Sequence, residues 1–541
     1  MTIQQRILKD ITHAIEHARK LKRWTVNGTI PEADIVTLSG GHGADFSSTI
    51  ALQCGPVLGM SPLHIAEDIK HCLQEEYVQV QIAQPGFLYF TLSDAQWLSA
   101  IADIEHMGER YGVERKKREQ ILIECISAPL TQPLMLAQAR NVYVADVLAR
   151  VFERLGYRVI RECVLHDRGA QVEVLGESVM RKYLHAQGMN VPYSDDLFQG
   201  EYVGELARTM DLSMVKRTPL NKMEQAKAYV KTEALKTLND QLHELCTDGM
   251  HLSCDSWILE SELLNAERTE KIYKKLKSRD VVYEVQGTQW VRTSSYGDDK
   301  DREYDANSTD AVSAYVELHL LHDRGVERKV HRTISFLNDE RHGYEKRLKA
   351  LAQLFGTKMV HDTVRTQMVT FVQHGYDMRV IGRNGDGITL KEYIDEVGKD
   401  AARFFFVHYS YDEPVRIDMD LMKENSERNP LHALRAGYDR LTQLLAQAEK
   451  AEQAVAQTPI TQSEKVLMHV VSRFSSVLEQ CARTLTVHHL TQYGIDLLHV
   501  VNELLKECAE HQPMHARHTQ LFRVTCTTFE CLFEVLGLQK K

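Results

Sequence analysis

The chain has 541 residues, 43% hydrophobic and 26% charged, with a formal net charge of −10. At ~100–200 residues per domain this length suggests about three or four domains, each able to bury a core, and no run of about 18 apolar residues offers a membrane-spanning helix. The acidic balance neither requires nor excludes a polyanion partner, because an acidic protein can still carry a basic face locally.

From the start, MTIQQRILKDITHAIEHARK places apolar residues at helical spacing and lacks the apolar stretch of a signal peptide, so it reads as an amphipathic helix. Ten cysteines without a CxxC pair argue against a zinc site and for a reduced, cytoplasmic protein. Pro62 to Gln74 is a predicted helix, and Val78-Gln-Val-Gln-Ile82 alternates as a strand does. Pro85-Gly then turns into Phe87-Leu-Tyr-Phe-Thr-Leu92, where Phe87 and Phe90 are expected in a core. The cluster Glu114-Arg-Lys-Lys-Arg-Glu119 reads as a solvated junction and closes a first α/β domain at about residue 115.

The next stretch organises the rest. Ile121 to Ile126 is a short apolar run of the kind that forms a buried parallel strand, and Ser127 to Pro133 holds loop formers. From Leu134 apolar residues recur at helical spacing to Phe152, ending near Gly156, and Tyr157 to Val164 is a second strand. This is a βαβ unit, and its turn opens onto a nucleotide site at the carboxyl ends of the strands. Asp146-Val-Leu-Ala-Arg150 on the helix and Asp167-Arg-Gly-Ala-Gln171 after the second strand are the quotable motifs.

With those motifs the unit resembles the first half of the catalytic domain of arginyl-tRNA synthetases, a class I aminoacyl-tRNA synthetase family. The resemblance implies an α/β fold with a Rossmann-type parallel-sheet catalytic domain over residues 116–423. It also implies a small N-terminal α/β domain over 1–115 that binds the tRNA elbow, with Phe87 on it. Gln199-Gly-Glu-Tyr-Val203, Asp255-Ser-Trp-Ile-Leu-Glu-Ser261, Gly297-Asp-Asp-Lys-Asp-Arg302, His342-Gly-Tyr-Glu-Lys-Arg347 and Asp395-Glu-Val-Gly-Lys-Asp-Ala-Ala-Arg-Phe-Phe-Phe406 continue it. By the same resemblance the amino-acid pocket includes Ser127, Pro129, His166, Asp167, Gln171 and Glu260.

The reactive signatures of the family are replaced. Its Lys-Pro-Leu-His-x-Gly-His turn has Gln132 at the lysine, Met135 and Gln138 at the histidines and Ala137 at the glycine. Its Lys-Met-Ser-Lys-Arg loop becomes Arg379-Val-Ile-Gly382-Arg383. A carboxylate is the natural partner of the forked donors of a substrate guanidinium. Alignment puts Ala314 at the family's tyrosine and Leu318 at its aspartate, with Glu317 turned away by about 100° on the helix. Adenylate formation depends on preset donors around phosphate oxygens, and losing one such donor costs ~3–4 kcal/mol by analogy with an oxyanion hole.

The final part, 424–541, resembles the all-α anticodon-binding bundle of the family, entered by Asn429-Pro-Leu-His-Ala-Leu-Arg-Ala-Gly-Tyr-Asp-Arg440. Arg435, Tyr438 and Arg440 are its candidate tRNA contacts, and Ala446 to Ser463 is expected to be a polar tether. His488-His489 is not a metal pair, since helix neighbours face apart, and no metal ligands are assigned anywhere.

Three readings follow. The expected one is a synthetase-like protein that has lost arginine activation and acts by binding tRNA, a metabolite or a protein partner, with no certain cofactor. A second is a working, diverged arginine–tRNA ligase using ATP and magnesium. A third is a tRNA-dependent transferase in which His166 serves as base or donor. A monomer without membrane contact is expected throughout.

Overall fold

A computed structural model describes residues 2–21, 23–24, 28–37, 43–73, 77, 79–218, 222–305, 314–338, 343–378, 387–450, 459–511 and 515–539. The amphipathic helix Ile3–Lys20 is closed at its start by a reciprocal capping pair, Thr2 with Gln5. It packs with helices Ile50–Leu58 and Pro62–Cys72 near a sheet in the order Val36–Thr37, Phe46–Ser48, Phe87–Thr91, Gln79–Ala83. Every pair in this sheet is antiparallel. Phe90 is fully buried, but Phe87 is only half-buried and stacks on Tyr89 at 6.3 Å. The expectation that both phenylalanines are core fails because positions an odd number apart on a strand face opposite sides.

The central sheet has five parallel strands in the order Val360–Thr366, Arg332–Asn338, Gln120–Pro129, Arg158–His166, Ser256–Leu259. Numbered along the chain this is 5-4-1-2-3, the doubly wound order, and the direction of winding reverses between Gln120–Pro129 and Arg332–Asn338. Ile121, Leu122 and Ile123 are buried, as their apolar run predicts, and the strand continues through Pro129 into the expected loop. The helix covering it is Ala139–Arg154, after a short 3₁₀ turn at Leu136–Gln138.

Gly156 ends that helix at φ +83°, and a Cβ there would lie 2.2 Å from the carbonyl oxygen of Arg115. Only glycine permits this close approach with that backbone. Asp146 is buried beneath the same helix and accepts from Arg150 Nε at 2.9 Å, Arg161 Nε at 3.2 Å and Arg403. The Asp-x-x-x-Arg motif is thus a structural knot joining the helix to the second strand and to the helix Lys399–His408.

Cys163 and Cys254 are disulfide-bonded, while the other eight cysteines are free. Pairing of the second strand with the third brings these two residues, 91 apart in sequence, to a Cα separation of 6.6 Å.

The carboxyl-terminal part is helical: Pro430–Ala448, Gln462–Ser472, Phe474–Thr484, His488–His511 and Ala516–Leu536. The predicted tether is shorter than expected at both ends, because Thr461 caps a helix that already contains Gln462 and Ser463. This bundle meets the first domain directly. His469 Nε2 lies 2.7 Å from Asp45 Oδ1, and its ring packs on Trp97 at 4.2 Å. Among the described residues no helix is long and apolar enough to cross a membrane.

Candidate active site

The carboxyl ends of the first three strands converge on His166. It ends the second strand, and its Nδ1 lies 3.0 Å from Oε2 of Glu260, which opens the helix directly after the third strand. The Ser127 hydroxyl, on the first strand, lies 3.4 Å from Nε2 of the same ring. Asp167 accepts the Ser261 backbone N–H at 2.9 Å and its hydroxyl, which fastens the turn after the second strand to the Glu260 helix. Pro129 and Gln171 are exposed at the rim.

Charge at this site is unbalanced. Arg324 is fully buried, but its guanidinium is committed to Glu162 Oε1 at 2.7 Å and to Glu124. Glu317 is half-buried and accepts the Tyr344 hydroxyl at 3.1 Å. Burial and the neighbouring Glu124 carboxylate push its pKa up to about 7, against the opposing pull of Arg324 and His166. Burial disfavours the His166 imidazolium, yet Glu260, Glu317 and Glu124 outweigh that and hold its pKa above the usual value. A cation placed beside a carboxyl raised in this way stabilises its charged form.

These positions overturn one expectation about the pocket. Leu318 is 0% exposed and Ala314 is buried, both inside an apolar cluster with Ile272, Leu276 and Leu351. Glu317, expected to face away, is instead the carboxylate on the His166 side. Neighbouring positions on a helix point about 100° apart, so Leu318 in that cluster and Glu317 do not share a face. Glu124, Glu162 and Arg324 were also missed. A glutamate inside the apolar run Ile121–Ile126 was the available signal, since a charge in a buried strand needs a partner.

On the nucleotide side, Gln132, Met135 and Gln138 are each half-buried. The Met135 backbone N–H donates to Gln138 Oε1 at 3.2 Å, so this amide caps its own turn. Leu136 N–H donates to the Ile388 carbonyl at 3.0 Å, Leu390 N–H donates to the Leu134 carbonyl at 2.8 Å, and Met135 and Thr389 form an antiparallel bridge. The first signature is therefore pinned to the chain just after the second. Arg379 and Gly382 lie outside the described residues.

The candidate tRNA contacts are scattered. Arg435 pairs with Asp400, and the Tyr438 hydroxyl donates to Glu530 Oε1 at 2.8 Å while its ring meets Phe533 edge-on at 5.6 Å. Arg440 is exposed.

Comparison with known proteins agrees with this layout. Residues 5–92 match the family model for the arginyl tRNA synthetase N terminal domain. Residues 100–407 match that for the class I (R) tRNA synthetase catalytic domain, and 434–540 match the DALR anticodon binding domain. The arginine–tRNA ligase of Desulfosudis oleivorans is 30% identical over 472 residues, 84% of each chain. That of Staphylococcus epidermidis is 31% identical over 521 residues, 92% of this chain and 90% of the relative. Among solved structures, Thermus thermophilus arginyl-tRNA synthetase superposes over 100% of both chains with a TM-score of 0.74 at 14% identity. The Plasmodium falciparum enzyme gives 0.70 at 12% identity, over 100% of this chain and 99% of that one. These two likenesses speak for the fold. Sequence and domain order together place the chain in the arginyl-tRNA synthetase family.

Proposed function

We propose that this chain is an arginine–tRNA ligase with a diverged nucleotide side, joining arginine to tRNA at the expense of ATP. The observation that carries the reading is the half-buried carboxylate of Glu317 on the His166 side of the strand ends, its pKa raised to about 7 by burial and by Glu124. A guanidinium offers a planar fork of donors suited to such carboxylates. Removing the supposed Leu318 substitution withdraws half of the case for an inert descendant. Relatives matched over most of their length are named arginine–tRNA ligases, which supports the same reading.

In this reading Glu317 holds the substrate guanidinium, and Glu260 fixes the His166 ring. Ser127, beside that ring, orients the amino-acid head. ATP would bind with magnesium, held in this reading by Gln132, Gln138 and the backbone N–H groups that open the helix Ala139–Arg154. tRNA is bound through the first domain and the helical bundle.

A second reading, a family member that binds without activating, is favoured by Met135 and Gln138 standing where imidazoles stand in the family. A transferase using His166 as base is disfavoured, because Glu260 holds that ring toward its protonated form. ATP–pyrophosphate exchange with arginine, run with and without tRNA, separates the first two readings. Exchange above background is expected, and exchange at background with intact arginine binding rejects the ligase in favour of the binder.

A further inference from the structure

The amino ends of the central sheet, opposite the candidate active site, carry a row of positive charge. Arg115, Lys116, Lys117 and Arg118 are consecutive and all exposed, and they lead into the strand Gln120–Pro129. Hydrogen bonds fix this segment in place. Glu114 N–H donates to the Arg154 carbonyl at 2.8 Å, Lys117 N–H to that of Gly156 at 2.7 Å, and Arg158 N–H to that of Glu119 at 3.2 Å. Lys117 Nζ lies 4.1 Å above the Tyr157 ring. The segment is thus held against the start of the strand Arg158–His166.

Strand pairing extends the row. Gln120 is in register with Arg158, whose side chain is exposed. On the other side, His331 N–H donates to the Gln120 carbonyl at 3.1 Å, and the His331 carbonyl accepts from Val360 N–H at 2.9 Å. Exposed Lys329 and Lys358 therefore precede the next two strands at the same end. Neighbouring strand ends stand ~4.7–4.9 Å apart, a stride that an extended phosphodiester chain can follow. None of these cations enters an ion pair among the described residues. The nearby acids are mostly engaged: Glu153 with Arg161, Asp362 with Arg332, and Glu114 with Gln5. Glu119 and Glu479 are exposed at the border, the second beside Lys117.

In a chain of net charge −10 such a row attracts a polyanion locally, not through the charge of the whole molecule. The centre of a protein–protein interface is built on aromatic and apolar anchors, and at this end the exposed large apolar side chains are Val113 and Val360. Counterion release from a phosphate backbone needs charge alone, and a single row tracks a single strand. We propose that the Arg115–Arg118 row, extended by Arg158, Lys329 and Lys358, is a contact for the phosphate backbone of single-stranded RNA, made without regard to sequence. Along the strand, Gln120 lies about 23 Å from Ser127 at ~3.3 Å per residue, so this contact is outside the synthetase centre and does not rest on the ligase reading.

The full-length protein is titrated against a fluorescein-labelled uridine 20-mer over a series of salt concentrations. Binding that weakens steeply as salt rises is expected. A chain carrying Lys116→Glu, Lys117→Glu and Arg118→Glu should bind at least ~tenfold more weakly at ~0.1 M salt, and its logarithmic salt slope should fall by about two, at ~0.7 per phosphate. Reversal of Arg208, Arg217 and Lys236, exposed on the helices inserted after His166, changes the net charge equally and should leave most of the binding. Melting temperatures verify that both variants are folded. Equal loss in the two variants, no 20-mer binding by folded wild type, or a loss confined to total tRNA titrated alongside overturns the proposal. Equally tight binding of polyglutamate or of phosphatidylserine vesicles overturns it too.

Discussion

The His166 ring stands 3.0 Å from the Glu260 carboxylate, and that contact joins the second and third strands of the sheet at their functional ends. Around it Glu317 supplies a carboxyl whose pKa burial and the Glu124 charge raise to about 7.

Glu317→Gln keeps the shape and removes the charge. Losing a hydrogen bond to a charged group costs ~1.5–3 kcal/mol, so arginine affinity should fall ~10–100-fold. Calorimetry on folded variant and wild type reads this directly. Equal affinities would place the guanidinium elsewhere.

The same carboxyl sets a pH dependence. With its pKa raised to about 7, Glu317 takes up a proton as the pH falls through neutrality and can no longer balance a cation. His166, also raised, becomes protonated in the same direction and adds repulsion. Arginine affinity should therefore weaken as pH drops from about 8 to about 6, and Glu317→Gln should flatten most of that slope.

Asp146 is a stability prediction. Burial opposes its charge, but Arg403, Arg150 and Arg161 together hold its pKa down to about 2. The stabilisation is thus fully present above the ordinary aspartate value and is lost as pH falls toward about 2. Asp146→Ala leaves Arg403 buried without its carboxylate and should cost ~3–5 kcal/mol, measurable by urea unfolding near neutral pH.

Gly156→Ala should destabilise by more than ~1 kcal/mol, because the added methyl meets the Arg115 carbonyl and φ is positive. A melting temperature unchanged from wild type would show that the junction at residues 114–119 yields easily.

Restoring the family's donors tests the nucleotide side. A chain carrying Gln132→Lys, Met135→His and Gln138→His should gain ATP–pyrophosphate exchange by ~100-fold or more if phosphate donors limit the reaction. An unchanged rate would mean that other groups already supply the stabilisation.

Much of this was legible in the sequence. The run Ile121–Ile126, the helix over Ala139–Arg154 and the motif ending at Gln171 announce a parallel-sheet unit because their periodicity reflects direct burial. The placing of Glu317 toward His166 was not, because neighbouring positions on a helix point about 100° apart and the alignment did not fix which one faced that way. The approach of Cys163 to Cys254 depends on strand pairing between distant segments, which no local pattern encodes.

The latch between Leu134–Leu136 and Ile388–Leu390 is made by peptide groups alone. Peptide groups are indifferent to which side chains they carry, so the two halves of the nucleotide cradle stay married through wholesale replacement of their signature residues.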